Sequence, residues 1–250
     1  MKGVLLAGGS GSRLGHLTKI TNKHLLPVGK YPMIHHPLMK LVEAGIKEIL
    51  VVTGCEHIGS IVGYLGSGSE FNCTITYKIQ DKAGGIAEAL YLAKDFAGTE
   101  DLCVLLGDNI FTESLVYPML TFIERKEVCD ALIVLYGLGK SKAYKQRFGV
   151  AFMNSVGTSV ETLIEKPSML RLEELSSRVS GVVTGIYFYD SSVFEKIEQL
   201  NYSDRGELEI TDVNNLYLQG GKLRAYDING EWTDAGTFES YHKANLLLNQ

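Results

Sequence analysis

Four apolar residues, Val4 to Ala7, run straight into a stretch with almost no side chains, Gly8-Gly9-Ser10-Gly11-Ser12, which Arg13 closes. The apolar run has the pattern of a buried strand. A strand that opens into such a loop leaves backbone N–H groups exposed at its end, where they can wrap closely around phosphate oxygens. The arginine adds a planar charged fork that suits a phosphate chain. The stretch therefore predicts a strand followed by a nucleotide triphosphate cradle; the plainer alternative is a flexible turn after an edge strand. Two familiar glycine-rich signatures are not met. No Lys-Ser or Lys-Thr follows these glycines, as the P-loop requires, and Leu14 stands where the dinucleotide fingerprint begun at Gly9 needs its third glycine. The second expected strand ends Val51-Val52-Thr53-Gly54 and offers no acid for a ribose, which disfavours a Rossmann oxidoreductase.

Apolar patterning extends the picture. Strands are expected at 48–53, 73–79 and 102–106, and helices at 33–44, 57–65 and 86–96. This alternation, up to Glu127, predicts a parallel, doubly wound sheet. The second half differs, with strands at 130–136, 149–154, 159–165 and 182–189 and few long helices between them. The expected fold is α/β: a doubly wound, mostly parallel mixed sheet flanked by helices. With no linker visible, one domain is expected over 1–250, with about 1–127 forming the nucleotide part and about 128–250 the acceptor part.

Chemistry-bearing residues fall at the ends of these strands. Lys23, set before a rigid Leu25-Leu26-Pro27, is a candidate phosphate ligand or a solvated surface lysine. Gln80 ends a strand beside Gly84 and Gly85 and offers a donor and an acceptor to a base edge; otherwise it is a polar turn residue. Asp108 follows the apolar run 102–106, where open α/β sheets bind ligands, and suits Mg²⁺ as well as it suits a helix cap. Glu165-Lys166-Pro167 places an acid and a base side by side; Pro167 biases Lys166 to extended geometry, in which neighbouring side chains face opposite ways, so both meet one ligand only if the chain bends. Arg205 to Asp212 is dense in charge and also reads as a solvated helix start. Asp234 can join Asp108 on a metal or cap the helix expected at 238–248, a task Thr237 can take instead. The adjacent His35 and His36 make a poor metal pair on a helix.

Composition removes other classes. A formal net charge of −5 without a basic stripe argues against a nucleic-acid surface. Four widely spaced cysteines without a C-x-x-C pair read as free thiols and not as a zinc site, which fits a reducing cytoplasm. No apolar stretch approaches a membrane span and no N-terminal signal is visible.

Taken together the motifs resemble those of the sugar-1-phosphate nucleotidylyltransferases, most closely the thymidylyltransferase members. The family's LAGG-x-G-[ST]-R-L stands at Leu6 to Leu14, K-x-L-L-P at Lys23 to Pro27, GDN at Gly107 to Asn109 and EKP at Glu165 to Pro167. V-T-G-x-Y follows at Val183 to Tyr187, R-G-E-L-E-I-T-D at Arg205 to Asp212 and W-x-D-x-G-T at Trp232 to Thr237. The resemblance spans nearly the whole chain and implies a Rossmann-like nucleotidyltransferase fold. It implies that Gly8, Gly9 and Gly11 wrap the nucleotide with Arg13 and Lys23 on its phosphates, that Leu6, Gln80 and Gly85 hold the base, and that Asp108 and Asp234 bind Mg²⁺. Asn109, Gly149, Glu165, Lys166, Val183 and Arg205 are implied to hold the sugar phosphate, with Lys166 and Arg205 on its phosphate. Arg13, Lys23, Asp108 and Lys166 are the implied catalytic set. The implied reaction takes dTTP and glucose 1-phosphate to dTDP-glucose and pyrophosphate in a homo-oligomer. Alternatives are UTP, another sugar 1-phosphate, or a catalytically silent nucleotide-binding regulatory subunit. The chain departs from the long-form members at Gly15-His16, at His24 in place of glutamine, and at Phe148 in place of tyrosine before Gly149. It closes at Gln250, where long-form members continue into a helical region that helps build a regulatory nucleotide site, so the resemblance brings no expectation of that control.

Overall fold

Alternate residues of the first apolar run feed two different cores in the computed structural model, which describes residues 1–9, 11–137 and 145–248. The run is strand β1 (Lys2–Ala7); Val4 and Leu6 pack on one face of the sheet and Leu5 and Ala7 on the other. Both faces are covered, which is why the strand reads as a continuous apolar run and not as an alternating one. A two-stranded ribbon of β2 (Pro27–Val28) and β3 (Tyr31–Pro32) leads into helix α1 (His35–Glu43). Then come β4 (Glu48–Gly54), α2 (Ile58–Leu65), β5 (Thr74–Gln80), α3 (Ile86–Tyr91), α4 (Lys94–Ala97) and β6 (Leu102–Leu106). A short β7 (Asn109–Phe111) precedes α5 (Val116–Glu124) and β8 (Ala131–Tyr136). The later strands are β9 (Gly149–Met153), β10 (Val160–Glu165), β11 (Ser180–Tyr189), β12 (Leu223–Asp227) and β13 (Trp232–Asp234). Helices Ile210–Gln219 and Phe238–Leu248 flank the last two.

The central sheet runs β10-β9-β11-β6-β1-β4-β5, with β8 on the second edge of β11 and β12 beside β8. Strands β6, β1, β4 and β5 are mutually parallel, so their C-terminal ends share one rim. The expected helix over 86–96 is divided instead: the Ala93 N–H bonds to Leu90 O at 2.9 Å, a tight turn that lets both Ala93 and Ala97 enter the core. The sheet changes character at β11, which lies antiparallel to β6, β8 and β9. Its register against β8 shifts between Val183 and Tyr187. Gly185 sits in that irregularity, where a Cβ would lie 2.6 Å from both Asn109 Nδ2 and Leu106 Cγ. Only glycine admits this approach, which accounts for the V-T-G-x-Y pattern. Among the described residues no helix is long and apolar enough to cross a membrane.

One buried polar contact ties β11 to the helix packed behind it. Tyr189 donates its hydroxyl to Asn214 Oδ1 at 2.7 Å, while Asn214 Nδ2 has no hydrogen-bond partner among the described residues and the residue is fully buried. Tyr189→Phe would leave both ends of that amide unpaired. A loss of about 1–3 kcal/mol in urea unfolding is expected. Adding Asn214→Leu should recover part of it, because the stranded amide is removed as well; a double variant no more stable than Tyr189→Phe would refute this account.

Candidate active site

The glycine-rich loop leaves β1 at the rim where the parallel strands end. Gly11 adopts a φ of 65°, in the left-handed region, and a Cβ there would stand 2.9 Å from Thr18 Cγ2 and 3.0 Å from Lys23 Cβ. Thr18 fastens the loop by donating to Gly11 O at 3.0 Å. The loop thus folds back on the Lys23 segment in a conformation that glycine adopts without strain. Ser10 lies outside the described residues.

Two aspartates 126 positions apart in sequence are brought together by a short ladder. Strand β7 pairs antiparallel with β13, with Asp234 opposite Asn109, and the Ala235 N–H bonds to the Asp108 carbonyl at 2.7 Å. Asn109 locks the arrangement. Its Oδ1 accepts from the Gly185 N–H at 2.9 Å and from Trp232 Nε1 at 2.6 Å, and its Nδ2 donates to Asp108 Oδ1 at 3.1 Å. Both ends of the Asn109 side chain therefore hold protein groups, which makes it a positioning residue for Asp108. A Cβ on Gly236 would lie 3.3 Å from Asp234 Oδ2, 3.5 Å from Asp108 Oδ2 and 3.3 Å from Arg13 Nη2. Both carboxylates and the loop arginine thus face one small space. Helix Phe238–Leu248 does not draw on Asp234: Thr237 Oγ1 accepts from the Ser240 N–H at 3.3 Å.

The two acids differ in electrostatics. Burial on its own would raise Asp108, but the Lys23 ammonium at 2.6 Å holds its carboxyl well below the usual range. Asp234 is pushed up to about 6, by burial first and then by the charge of Asp108, against the opposing pull of Arg147, Arg13 and Lys23. Like charges at close quarters and poor solvation both favour the neutral acid. Next to Lys23, the buried His24 is lowered to about 3 by desolvation and by its lysine neighbour, with Asp108 opposing.

The far end of the site is built on β9, β10 and the loop before helix Ile210–Gln219. Lys166 does not take the extended conformation that Pro167 favours; its φ is +41°. The β10–β9 ladder ends at Glu165 opposite Gly149, the Lys166 N–H bonds to Phe148 O at 3.1 Å, and the chain turns there. A non-glycine residue in this region stores about 1–3 kcal/mol of strain. The bend lets neighbouring side chains converge: Lys166 Nζ is 3.3 Å from Glu165 Oε1. Thr211 donates to Glu165 Oε2 at 2.6 Å, and Arg205 Nη2 contacts Glu209 at 2.8 Å, Glu207 at 3.3 Å and Glu165 at 3.7 Å.

These parts line one cleft of about 670 Å³. Every site residue expected from the sequence lies on its wall except Gly11, which shapes the loop from behind. At the loop end Gln80 Nε2 donates to Gly85 O at 3.3 Å, next to Leu6 and Gly8. The sequence reading missed Arg147, which lines the cleft within 3.7 Å of Asp234; an isolated arginine before Phe148-Gly149 carries no spacing signal. Glu207 and Glu209, legible only as a charged helix start, also face the cleft.

A family model described as Nucleotidyl transferase matches residues 2–250. The glucose-1-phosphate thymidylyltransferase of Neisseria meningitidis serogroup A is 39% identical over 247 residues, covering 98% of this chain and 81% of that protein. The enzyme of the same name from Mycolicibacterium smegmatis is 36% identical over 242 residues, covering 96% of this chain and 79% of its own. A 2.76 Å crystal structure from Bacillus anthracis, of a protein named as a glucose-1-phosphate thymidylyltransferase in complex with a sucrose, superposes with a TM-score of 0.87. It is 47% identical, with 99% of this chain and 94% of that one covered. A UDP-glucose pyrophosphorylase complexed with UDP-glucose shares the fold, with a TM-score of 0.84 at 22% identity, over 99% of this chain and 98% of that one.

The depressed His24 gives a pH prediction with a definite sign. The folded chain protonates this ring near 3 and the unfolded chain near its ordinary 6.5. Between those values the unfolded state binds the extra proton, so stability falls as pH drops. Nδ1 donates to Asn22 Oδ1 at 2.7 Å, which fixes the neutral tautomer. Lowering the pH from about 7.5 to about 5 should cost the wild type up to about 2 kcal/mol more than His24→Gln in urea unfolding. Equal losses in the two proteins would refute the assignment.

Proposed function

The chain belongs to the nucleotidyl transferase family, and from that premise we propose that it transfers the nucleotidyl group of dTTP to α-D-glucose 1-phosphate, giving dTDP-glucose and pyrophosphate. The observation that carries this reading is the pairing of β7 with β13, which sets Asp108 and Asp234 side by side next to the glycine-rich loop, with cations at both ends of one cleft.

The sugar phosphate is already an anionic nucleophile, so no general base is required. The obstacle is the approach of one anion to another, the α-phosphate of the nucleotide. The protein's task is to neutralise that repulsion and to hold the attacking oxygen opposite the departing pyrophosphate. Lys166 and Arg205 stand at the acceptor end and are assigned to the sugar phosphate, with Glu165 on the sugar hydroxyls and Gly149 and Val183 shaping the wall beside them. Arg13 and Lys23 stand at the loop end and are assigned to the triphosphate, and Leu6, Gln80 and Gly85 to the base.

Asp108 and Asp234 are assigned to Mg²⁺. The residues fit: their hard carboxylate oxygens face one space that Gly236 leaves open. Among the described residues no group of three or more potential ligands exists. Two carboxylates completed by phosphate oxygens and water is the arrangement Mg²⁺ favours in phosphate-handling sites. When bound, the ion supplies concentrated positive charge to the phosphates. All four cysteines are free thiols, which supports placing the protein in a reducing cytoplasm.

The test is pyrophosphate release across a matrix of dTTP, UTP and CTP with several sugar 1-phosphates, with and without Mg²⁺. The dTTP and glucose 1-phosphate pair should be the fastest, and silence across the matrix would favour a regulatory subunit instead. Asp108→Asn and Asp234→Asn should each lower turnover by at least about 100-fold. A near-normal rate in purified Asp108→Asn would remove the mechanism. Gln80→Ala should narrow the preference for dTTP over CTP, because its amide is the group able to read a base edge; unchanged selectivity would transfer that role elsewhere.

A further inference from the structure

Both acidic residues assigned to the metal already hold a cation in the free chain. Lys23 Nζ lies 2.6 Å from Asp108 Oδ2, and Arg147 Nη2 lies 3.7 Å from Asp234 Oδ1. Arg13, which faces the same space, makes no ion pair among the described residues. Arg147 is also the most exposed partner of the two pairs, at 39% of its side chain, and its guanidinium lies 5.5 Å from the centre of the Phe148 ring. Its contact with Asp234 is thus longer and wetter than the Lys23 contact with Asp108. Two largely buried carboxylates facing one space need compensating charge when no metal is present. A guanidinium that supplies it competes with a metal for the same oxygen. Once displaced, it remains within the cleft as an unpaired fork of the kind that holds phosphate.

Resting on the reading of this cleft as a nucleotide and metal site, we propose that Arg147 exchanges partners during binding: it holds Asp234 in the free enzyme, yields that carboxylate to the divalent cation, and turns to the phosphates of the nucleoside triphosphate. Metal and triphosphate then bind with positive coupling through one side chain, because each removes the competitor of the other, and the coupling is reciprocal. Arg147 so becomes a further phosphate-binding residue of the site, and the proposal gives its removal opposite effects on the two ligands.

The test measures Mn²⁺ affinity by electron paramagnetic resonance in the wild type, Arg147→Ala and Arg147→Lys. Each is titrated alone and with a dTTP analogue carrying a methylene bridge between the α and β phosphorus atoms, which blocks transfer. Without nucleotide, Arg147→Ala should bind Mn²⁺ about 3- to 10-fold more tightly than the wild type, while its affinity for the analogue falls by about 10-fold. The factor by which the analogue improves Mn²⁺ binding should shrink accordingly, and Arg147→Lys should lie between the two. A purely structural role would not tighten metal binding, so unchanged or weaker Mn²⁺ affinity in nucleotide-free Arg147→Ala overturns the exchange. Unchanged affinity for the analogue overturns it too. If the wild type itself binds neither Mn²⁺ nor the analogue, the reading of the cleft fails, and not only the part assigned to Arg147.

Discussion

The site depends on the side chain of Asn109. Its Oδ1 accepts from the β11 backbone at Gly185 and from the β13 indole at Trp232, and its Nδ2 donates to Asp108. Three segments remote in sequence are fixed by one buried amide, which leaves little freedom in where Asp108 points. Hydrogen bonds of this kind are worth more for what their loss would strand than for their own net energy. Without the amide, a backbone N–H, an indole N–H and a carboxylate would each lie buried or nearly so and lack that partner. The same contact explains why Gly185 must come so close to β7 and why the β11 register against β8 shifts there.

From that anchor the electrostatics follow. Holding Asp108 and Asp234 against one space raises the cost of ionising both, and it falls mainly on Asp234, whose carboxyl is displaced upward while the closer lysine keeps Asp108 charged. The acceptor end repeats the motif, with Arg205 held among Glu165, Glu207 and Glu209 and Lys166 against Glu165. Most cations of the cleft are therefore matched by carboxylates in the free chain. Such pairing keeps the arginines and lysines in place and keeps the empty cleft from carrying an uncompensated positive field. It also means that phosphate must displace a carboxylate to bind, so part of its attraction offsets a contact already present.

Much of this was legible in the sequence, for a physical reason. The inner parallel strands are apolar on both faces and the edge strand β5 alternates apolar with polar residues, so both kinds of run announce themselves: the expected strand at 102–106 is β6 without change, and those at 48–53 and 73–79 shift by a residue at most. The loop, the GDN turn and the EKP turn sit at strand ends, where short side-chain patterns are tied to backbone shape. What was not legible depends on long-range pairing. Nothing near Lys166 signals a left-handed φ, since Pro167 argues for extended backbone and the bend is imposed by the β9–β10 ladder. Arg147 has no pattern of its own because its partner lies 87 positions away on β13. The break after α3 rests on small residues entering the core, which an apolar periodicity does not distinguish from a continuous helix.

The change of direction at β11 turns a nucleotide-binding sheet into a two-substrate cleft. In an open parallel sheet, ligands collect at the C-terminal rim, and here β1 and β6 deliver the glycine loop and Asp108 to it. Another parallel strand beside β6 would end at the same rim and add a further loop there. An antiparallel β11 instead runs on past the rim: Ile186 to Tyr189 pair with β6, and Ser180 to Val182 extend beyond it to pair with β9. Strands β9 and β10 are thereby held out in front of the rim, facing the loop across open space, with Glu165 and Lys166 at the end of the ladder away from its hairpin turn. The acceptor end is therefore built on the same sheet as the nucleotide end, and the distance between the two is set by strand pairing and not by a flexible connection. For a reaction whose chief requirement is the alignment of two anions, a wall fixed in this way supplies the orientation that the chemistry lacks.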